Sequence, residues 1–149
     1  MAYQFKKVTP SHQDFIALVD ELNLSLNSIT SDSGEASFVS GAFNPEHDGC
    51  LLVYHHNKPV ACGVFRFHAY GTCELKRMYS KQKGAGSALL EALEGYAIEK
   101  GYSKAVLSTR RVNENAIGFY RRHAFAEIEA YGKYIGLARS ICMGKALMR

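Results

Sequence analysis

The sequence predicts a mixed α/β domain with a mostly antiparallel sheet, and three features point to it. Apolar runs at residues 51–55, 60–67 and 73–79 are separated by Asn57-Lys58-Pro59 and by Tyr70-Gly71, so they read as three successive antiparallel strands. Ala85, Ala88, Leu89, Ala92, Leu93, Tyr96 and Ala97 fall on one stripe, with Glu91, Glu94 and Glu99 off it, which specifies an amphipathic helix that Gly101 ends. The chain then alternates a strand pattern, a helix pattern and two further strand patterns.

The remaining elements follow in order. Residues 3–8 alternate loosely as a strand. Ser11 is expected to start a helix with Asp14 in the reciprocal capping position, and Phe15, Leu18, Val19 and Leu22 follow at helical spacing. Residues 30–49 are polar and glycine-bearing, with a short helix expected near Glu35 to Ser40. Residues 104–109 form a buried strand. Asn113 caps a helix that carries Ala116, Ile117 and Tyr120. Residues 125–129 and 141–147 complete the chain as strands. The order is β-α-(α)-β-β-β-α-β-α-β-β, in a single domain over residues 1–149.

Composition bounds the function. With 149 residues, 47% apolar and 21% charged, the chain is long enough to bury a core and is not of disordered or collagen-like type. No apolar run reaches the ~20 residues of a membrane helix. The opening residues lack the pattern of a secretory signal, so the expected compartment is the cytosol. Cys50, Cys62, Cys73 and Cys142 form no CxxC pair and lie near no histidine at zinc-ligand spacing, so buried free thiols are expected and no metal. The net charge of +4 is partly concentrated in Lys76, Arg77, Lys81 and Lys83. This cluster is either a solvated face or a seat for an anionic ligand. No RNA- or DNA-binding signature accompanies it.

Lys81-Gln82-Lys83-Gly84-Ala85-Gly86-Ser87 lies between a predicted strand and the strongest predicted helix. Glycines there let backbone amides approach a phosphate, and the open first turn of the helix favours negative charge. A flexible turn before a helix reads equally well from this segment alone. Neither the P-loop spacing nor GxGxxG is present.

The stretch from Glu74 through Leu90, with Lys81, Gly84 and Gly86 at the key positions, resembles the acetyl-CoA signature of the GNAT superfamily of N-acetyltransferases, Gln/Arg-x-x-Gly-x-Gly/Ala. Residues 113–125 resemble that family's second motif, Asn-x-x-Ala-x-x-x-Tyr followed by Gly-Phe, through Asn113, Ala116, Tyr120 and Phe125. The element order is similar over almost the whole chain. Lys81 stands where the family has Gln or Arg, Ala124 where it has Gly, and the loop before Lys81 is shorter than is common.

The resemblance implies a GNAT-like fold, a mixed sheet with helices on both faces, and acetyl-CoA as co-substrate. It implies that backbone atoms of Met78, Tyr79 and Ser80 hold the pantetheine and acetyl end, where this strand splays from the next. Lys81, Gln82, Lys83, Gly84, Ala85, Gly86 and Ser87 would surround the pyrophosphate, and Asn113 would bond the pantetheine arm. Tyr120 is the candidate general acid: a phenol of ordinary pKa ~10 is protonated at neutral pH and can donate to a departing thiolate. A core aromatic is the other reading. Glu74 is the candidate base, directly or through water, and equally a salt-bridge partner of Lys76 or Arg77. His55, His56, His68 and His123 read as surface residues or bases. Arg66, Arg77, Tyr131 and Tyr134 are the candidate acceptor contacts. Two arginines within apolar strands point to an anionic group on the acceptor, or else they pair internally or reach solvent. On an alternating strand Glu74 and Arg77 are expected on opposite faces.

The expected function is transfer of an acetyl group from acetyl-CoA to a primary amine of a small molecule or peptide, directly within a ternary complex. A non-catalytic CoA-binding module of the same fold and a nucleic-acid-binding module are the alternatives. No membrane partner is expected, and a homodimer is compatible with the sequence.

Overall fold

A computed structural model describes residues 2–30 and 42–148. The expected short helix near Glu35 to Ser40 lies outside these residues. Among them, seven strands make one sheet in the order β1-β2-β3-β4-β5-β7-β6. The elements are β1 (Gln4–Val8), α1 (Gln13–Thr30), β2 (Gly49–His55), β3 (Lys58–Ala69), β4 (Thr72–Ser80), α2 (Ala85–Glu99), β5 (Lys104–Arg110), α3 (Glu114–Arg122), β6 (Ala126–Ile128) and β7 (Ser140–Ala146), with a 3₁₀ turn at Gly132–Tyr134. All neighbouring pairs are antiparallel except β4 and β5, which run parallel and are joined through α2.

Period-two alternation in β2 and β3 divides the core between the two faces of the sheet. Cys50, Leu52, Cys62 and Val64 meet Phe15 and Leu18 of α1 on one face. Leu51, Val53, Ala61 and Phe65 meet Leu89, Leu90 and Leu93 of α2 on the other, together with Tyr120 and Phe125 at the end of α3. The four cysteines are free and buried, and burial pushes the thiols of Cys62 and Cys73 up to about 12. Those two thiols stay protonated, and all four cysteines pack as small apolar groups.

Two local expectations change. The first helix begins at Gln13, and its cap is His12, whose Nδ1 accepts the Asp14 amide at 3.1 Å. Ser11 instead bonds the Thr9 hydroxyl at 2.8 Å, and the Asp14 carboxylate accepts the Tyr54 hydroxyl at 2.5 Å. The reciprocal cap does not form because Tyr54, across the α1 interface, takes that carboxylate. The β2–β3 turn sits on His56 and Asn57, with φ of 52° and 62°, one residue before the expected position. Positive φ at both central residues matches the twist of a two-residue hairpin.

The parallel pairing of β4 with β5 covers three residue pairs, Thr72–Lys104, Cys73–Ala105 and Glu74–Val106. Beyond these, β4 stays with β3 as far as Ser80, and β5 stays with β7 as far as Arg110. The strands part, and the sheet opens along the edge of β4. A bulge in β4 accompanies the opening: Val64 faces Lys76 while Cys62 faces Tyr79, so an extra residue is accommodated where Arg77 adopts φ 52°. Gly63 lies opposite the bulge, where a Cβ would collide with the Met78 sulfur.

The two helices behind the opening end alike. For α2, the amides of Tyr102 and Gly101 bond the carbonyls of Ala97 and Ile98, with Gly101 at φ 101°. For α3, the amides of Phe125 and Ala124 bond Tyr120 and Arg121 in the same pattern, with Ala124 at φ 71°. This is a Schellman closure, and it brings Phe125 onto Tyr120 with ring centroids 5.4 Å apart. In α3 an L-residue holds the left-handed position that glycine holds in α2, which costs roughly 1–2 kcal/mol. Glycine would relieve that strain and give back part of it through its freer unfolded chain. Ala124→Gly is therefore expected to raise stability by about 0.5–1 kcal/mol. In urea denaturation the midpoint should rise at constant slope, and a lower midpoint would refute the strain assignment.

Candidate active site

Where β4 leaves β5, its outer edge from Leu75 to Ser80 has no strand partner among the described residues. Backbone donors and acceptors along that edge face a cleft instead of a ladder. Two cavities of ≈ 330 and ≈ 320 Å³ occupy the cleft and share Leu22, Leu26, Met78, Asn113, Ala116 and Tyr120 on their walls. The second runs along Tyr79, Ser80 and Gly86 toward the turn before α2. The first runs the other way, past Lys76, Arg77, Ser108 and Arg110 to Tyr134 and Arg139. The two halves meet at Tyr120.

At the α2 end, residues 81–84 form a tight turn. The Lys81 amide bonds the Val60 carbonyl, which fixes the turn to β3, and Gly84 adopts φ 90° as the cap of α2 with no side-chain cap. The amides of Lys83, Gly84, Gly86 and Ser87 have no acceptor among the described residues, whereas the Ala85 amide is used by the Gln82 carbonyl at 3.1 Å. This is an open helix N-terminus next to a cavity, a setting suited to an anion. The side chains of the turn are held from outside. Gln82 bonds His55 Nδ1 at 2.9 Å, Lys81 pairs with Glu21 at 3.2 Å, and the Tyr3 hydroxyl donates to the Lys83 carbonyl at 3.4 Å. Gly86 lies against Ser80 and Phe119.

Tyr120 is buried, and among the described residues its hydroxyl has no hydrogen-bond partner. Desolvation raises its pKa and keeps the phenol protonated. Asn113 caps α3, its side-chain oxygen accepting the Ala116 amide at 3.4 Å, and it lies on the walls of both cavities.

Glu74 is the last β4 residue that pairs with β5, so it stands at the apex of the opening. Its carboxylate accepts the Tyr131 hydroxyl at 2.6 Å and lies 3.5 Å from Lys76 Nζ. Lys76 in turn donates to the Tyr134 hydroxyl at 2.8 Å. Burial lowers the Lys76 pKa, Glu74 opposes this, and the nearby Arg66 and Arg77 add to the lowering. Glu74 is not on the cavity wall; Lys76 and Tyr134 are. Arg77 is buried and reaches Asn23 of α1. The extra residue at the bulge shifts the alternation, so Arg77 turns toward α1, the side that Lys76 also occupies; the expected opposition to Glu74 does not hold. Arg66 pairs across the strands with Glu74 and lies off the cavity walls.

The structure thus brings Met78, Tyr79, Ser80, Gly86, Asn113 and Tyr120 to one cavity and Arg77 and Tyr134 to the other. None of the six histidines lies on either wall. His123 bonds the Ser87 hydroxyl at 3.0 Å, and His68 stacks on Tyr131 at 4.6 Å. Sequence reasoning missed Leu22 and Leu26 of α1, Ser108 and Arg110 of β5, and Lys133 and Arg139 near the 3₁₀ turn. The Ser108 hydroxyl is buried with no partner among the described residues. Helical spacing marks Leu22 only as a packing residue of α1, and no short-range signal marks Ser108, Arg110, Lys133 and Arg139, which meet the cleft only through the tertiary fold. Among the described residues there is no group of three or more His, Cys, Asp or Glu side chains that could hold a metal. Among the described residues no helix is long and apolar enough to cross a membrane.

The fold has known relatives. A Klebsiella pneumoniae protein proposed to be an acyl-CoA N-acyltransferase superposes with a TM-score of 0.84 at 24% identity, over 98% of each chain. The PaiA N-acetyltransferase of Thermoplasma acidophilum, solved in complex with coenzyme A, gives 0.75 at 18% identity over 98% of this chain and 99% of that one. The ribosomal-protein-S18-alanine N-acetyltransferase of Escherichia coli gives 0.70 at 15% identity over 99% and 96%. At these identities the likeness is one of fold. In sequence, an uncharacterized N-acetyltransferase of Schizosaccharomyces pombe is 29% identical over 96 residues, which span 60% of this chain and 58% of that relative. The model of the acetyltransferase (GNAT) family matches residues 16–125, from α1 through the closure of α3, and by that match the chain belongs to this family.

Proposed function

We propose that this protein moves an acetyl group from acetyl-CoA to an amine by direct attack within a ternary complex. The observation that carries this reading is the two-ended cleft: uncommitted helix amides close one end, a second cavity opens at the other, and Tyr120 stands where they meet. In such an arrangement the amides of Gly84, Gly86 and Ser87, and the flanking Lys83 amide, bind the pyrophosphate. The unpaired β4 edge at Met78, Tyr79 and Ser80 holds the pantetheine in strand-like fashion, and the Asn113 side chain bonds the same arm.

The amine enters from the far cavity and attacks the carbonyl carbon. Its surplus proton leaves through water toward Glu74, which stands behind Lys76 and Tyr134. Tyr120 donates to the sulfur as the C–S bond breaks. Because a buried phenol is a weaker acid than a thiol, its contribution is chiefly a hydrogen bond that stabilises the developing thiolate. Phe125 and the closure of α3 hold the ring in place for that task.

Two variants test this reading. Gly84 holds a left-handed conformation beside the Tyr3 hydroxyl, 3.2 Å from where a Cβ would lie. Gly84→Val should therefore close the approach to the amides and weaken acetyl-CoA binding about tenfold or more in calorimetry. Unchanged affinity in a folded variant would remove the phosphate site from this turn. Tyr120→Phe keeps the ring packing and removes the donor, so turnover should fall by about 10²–10³-fold with acetyl-CoA affinity nearly unchanged. Turnover within a few-fold of the parent would leave Tyr120 as a packing residue only.

A further inference from the structure

We propose that the acceptor is a small amine that also carries an oxyanion, a carboxylate or a phosphonate-type group, seated against the basic far wall of the cleft. The proposal rests on the acetyl-transfer reading and names its second substrate class. Five cationic side chains lie on the wall of the ≈ 330 Å³ cavity: Lys76 and Arg77 from β4, Arg110 from the end of β5, Lys133 from the 3₁₀ turn and Arg139 just before β7. No Asp or Glu among the described residues lines that cavity. Glu74 stands behind the wall, 3.5 Å from Lys76. These cations come from four separate segments of the chain, so their convergence is a product of the fold and not of a basic run.

The size of the space limits the ligand. A cavity of ≈ 330 Å³ is at the low end of the ~300–1,000 Å³ typical of small-molecule sites. The direction of the field limits its charge. A polycationic amine would meet the exposed cations of Lys133 and Arg139 on this wall, whereas an oxyanion placed there gains a planar, two-pronged hydrogen bond from the Arg139 guanidinium. With the anion at the basic end, the amine of a short acceptor reaches toward Tyr120, where the two cavities join. Burial, the chief cause of the lowered Lys76 pKa, likewise favours the neutral form of an amine that enters the cleft, and the neutral amine is the nucleophile.

The test uses the whole chain and matched compounds: amino acids, their amides, the corresponding decarboxylated amines, aminoalkylphosphonates and spermidine. Acetyl-CoA affinity is measured first. CoA release with mass detection of the N-acetyl product gives kcat/KM, and calorimetry on the CoA-saturated protein gives binding without turnover. The anionic member of each pair should exceed its amide and its decarboxylated partner by about tenfold or more in both readouts. Comparison of amino acids with aminoalkylphosphonates identifies which oxyanion is read. Lys133 and Arg139 are exposed, so the double variant Lys133→Gln/Arg139→Gln should fold normally. It should lose most of the preference while keeping acetyl-CoA affinity. Equal or better performance of neutral or polycationic amines overturns the proposal, as does an unchanged preference in the double variant. If acetyl-CoA binds and no anionic compound binds or reacts, the acceptor class is wrong and the cofactor reading stands. Loss of acetyl-CoA binding itself overturns both.

Discussion

The parting of β4 from β5 after the Glu74–Val106 pair is the constraint on which the rest of the molecule depends. A parallel pair inside a sheet normally continues for the length of its shorter strand, because each unpaired backbone group away from water is costly. Here the pairing stops after three residue pairs, although both strands continue. Two anchors hold the strands apart. β5 remains paired with β7 along all seven of its residues, and β4 remains paired with β3 through a bulge at Arg77. The left-handed Arg77 re-aims the strand, its side chain reaches Asn23 on α1, and the Met78 side chain fills the space above Gly63. The edge that has no strand partner among the described residues forms a wall of the candidate site.

Helix termini complete what the strands begin. The turn before α2 has no side-chain cap, which leaves amides open beside the cavity. The start of α3 is capped by Asn113, and its end is closed so that Tyr120 and Phe125 pack on one another. A single short helix therefore places Asn113, at its entry, and Tyr120, in its last turn, on the cleft wall. Ala124 holds a strained backbone position at that closure, a local cost set beside the fixed placement of Tyr120.

The electrostatics of the cleft are asymmetric. At the α2 end the available partners for a ligand are backbone amides, while Lys81 is turned to Glu21 on α1. At the opposite end side-chain cations lie on the wall, and the Glu74 carboxylate is held behind them by Tyr131 and Lys76. Helix dipole and backbone amides suit a group bound the same way each time, whereas flexible side chains suit a variable partner. This division fits a common cofactor end and a chain-specific acceptor end.

Much of this was legible in the sequence. Alternation of apolar residues in β2–β4, the stripe of α2 and the turn signals at Tyr70-Gly71 and Gly101 specify the elements, because burial on one face imposes a period on the residues that face it. The glycine turn and the spacing from Asn113 to Tyr120 were legible for the same local reason: φ above zero and a helix cap are decided by neighbouring residues. Tertiary structure alone decided the rest. The Asp14 carboxylate went to Tyr54, forty residues away, instead of to its own helix cap. The bulge at Arg77 put that side chain toward α1, against the simple alternation of a strand, because it depends on the register with β3. Arg110, Lys133 and Arg139 became one wall with Lys76 and Arg77 only because β5 and the segment before β7 fold back across the opening. Periodicity records which face of an element is buried; it carries no record of which distant elements share a cleft, since that is fixed by strand order and by the point at which two strands part.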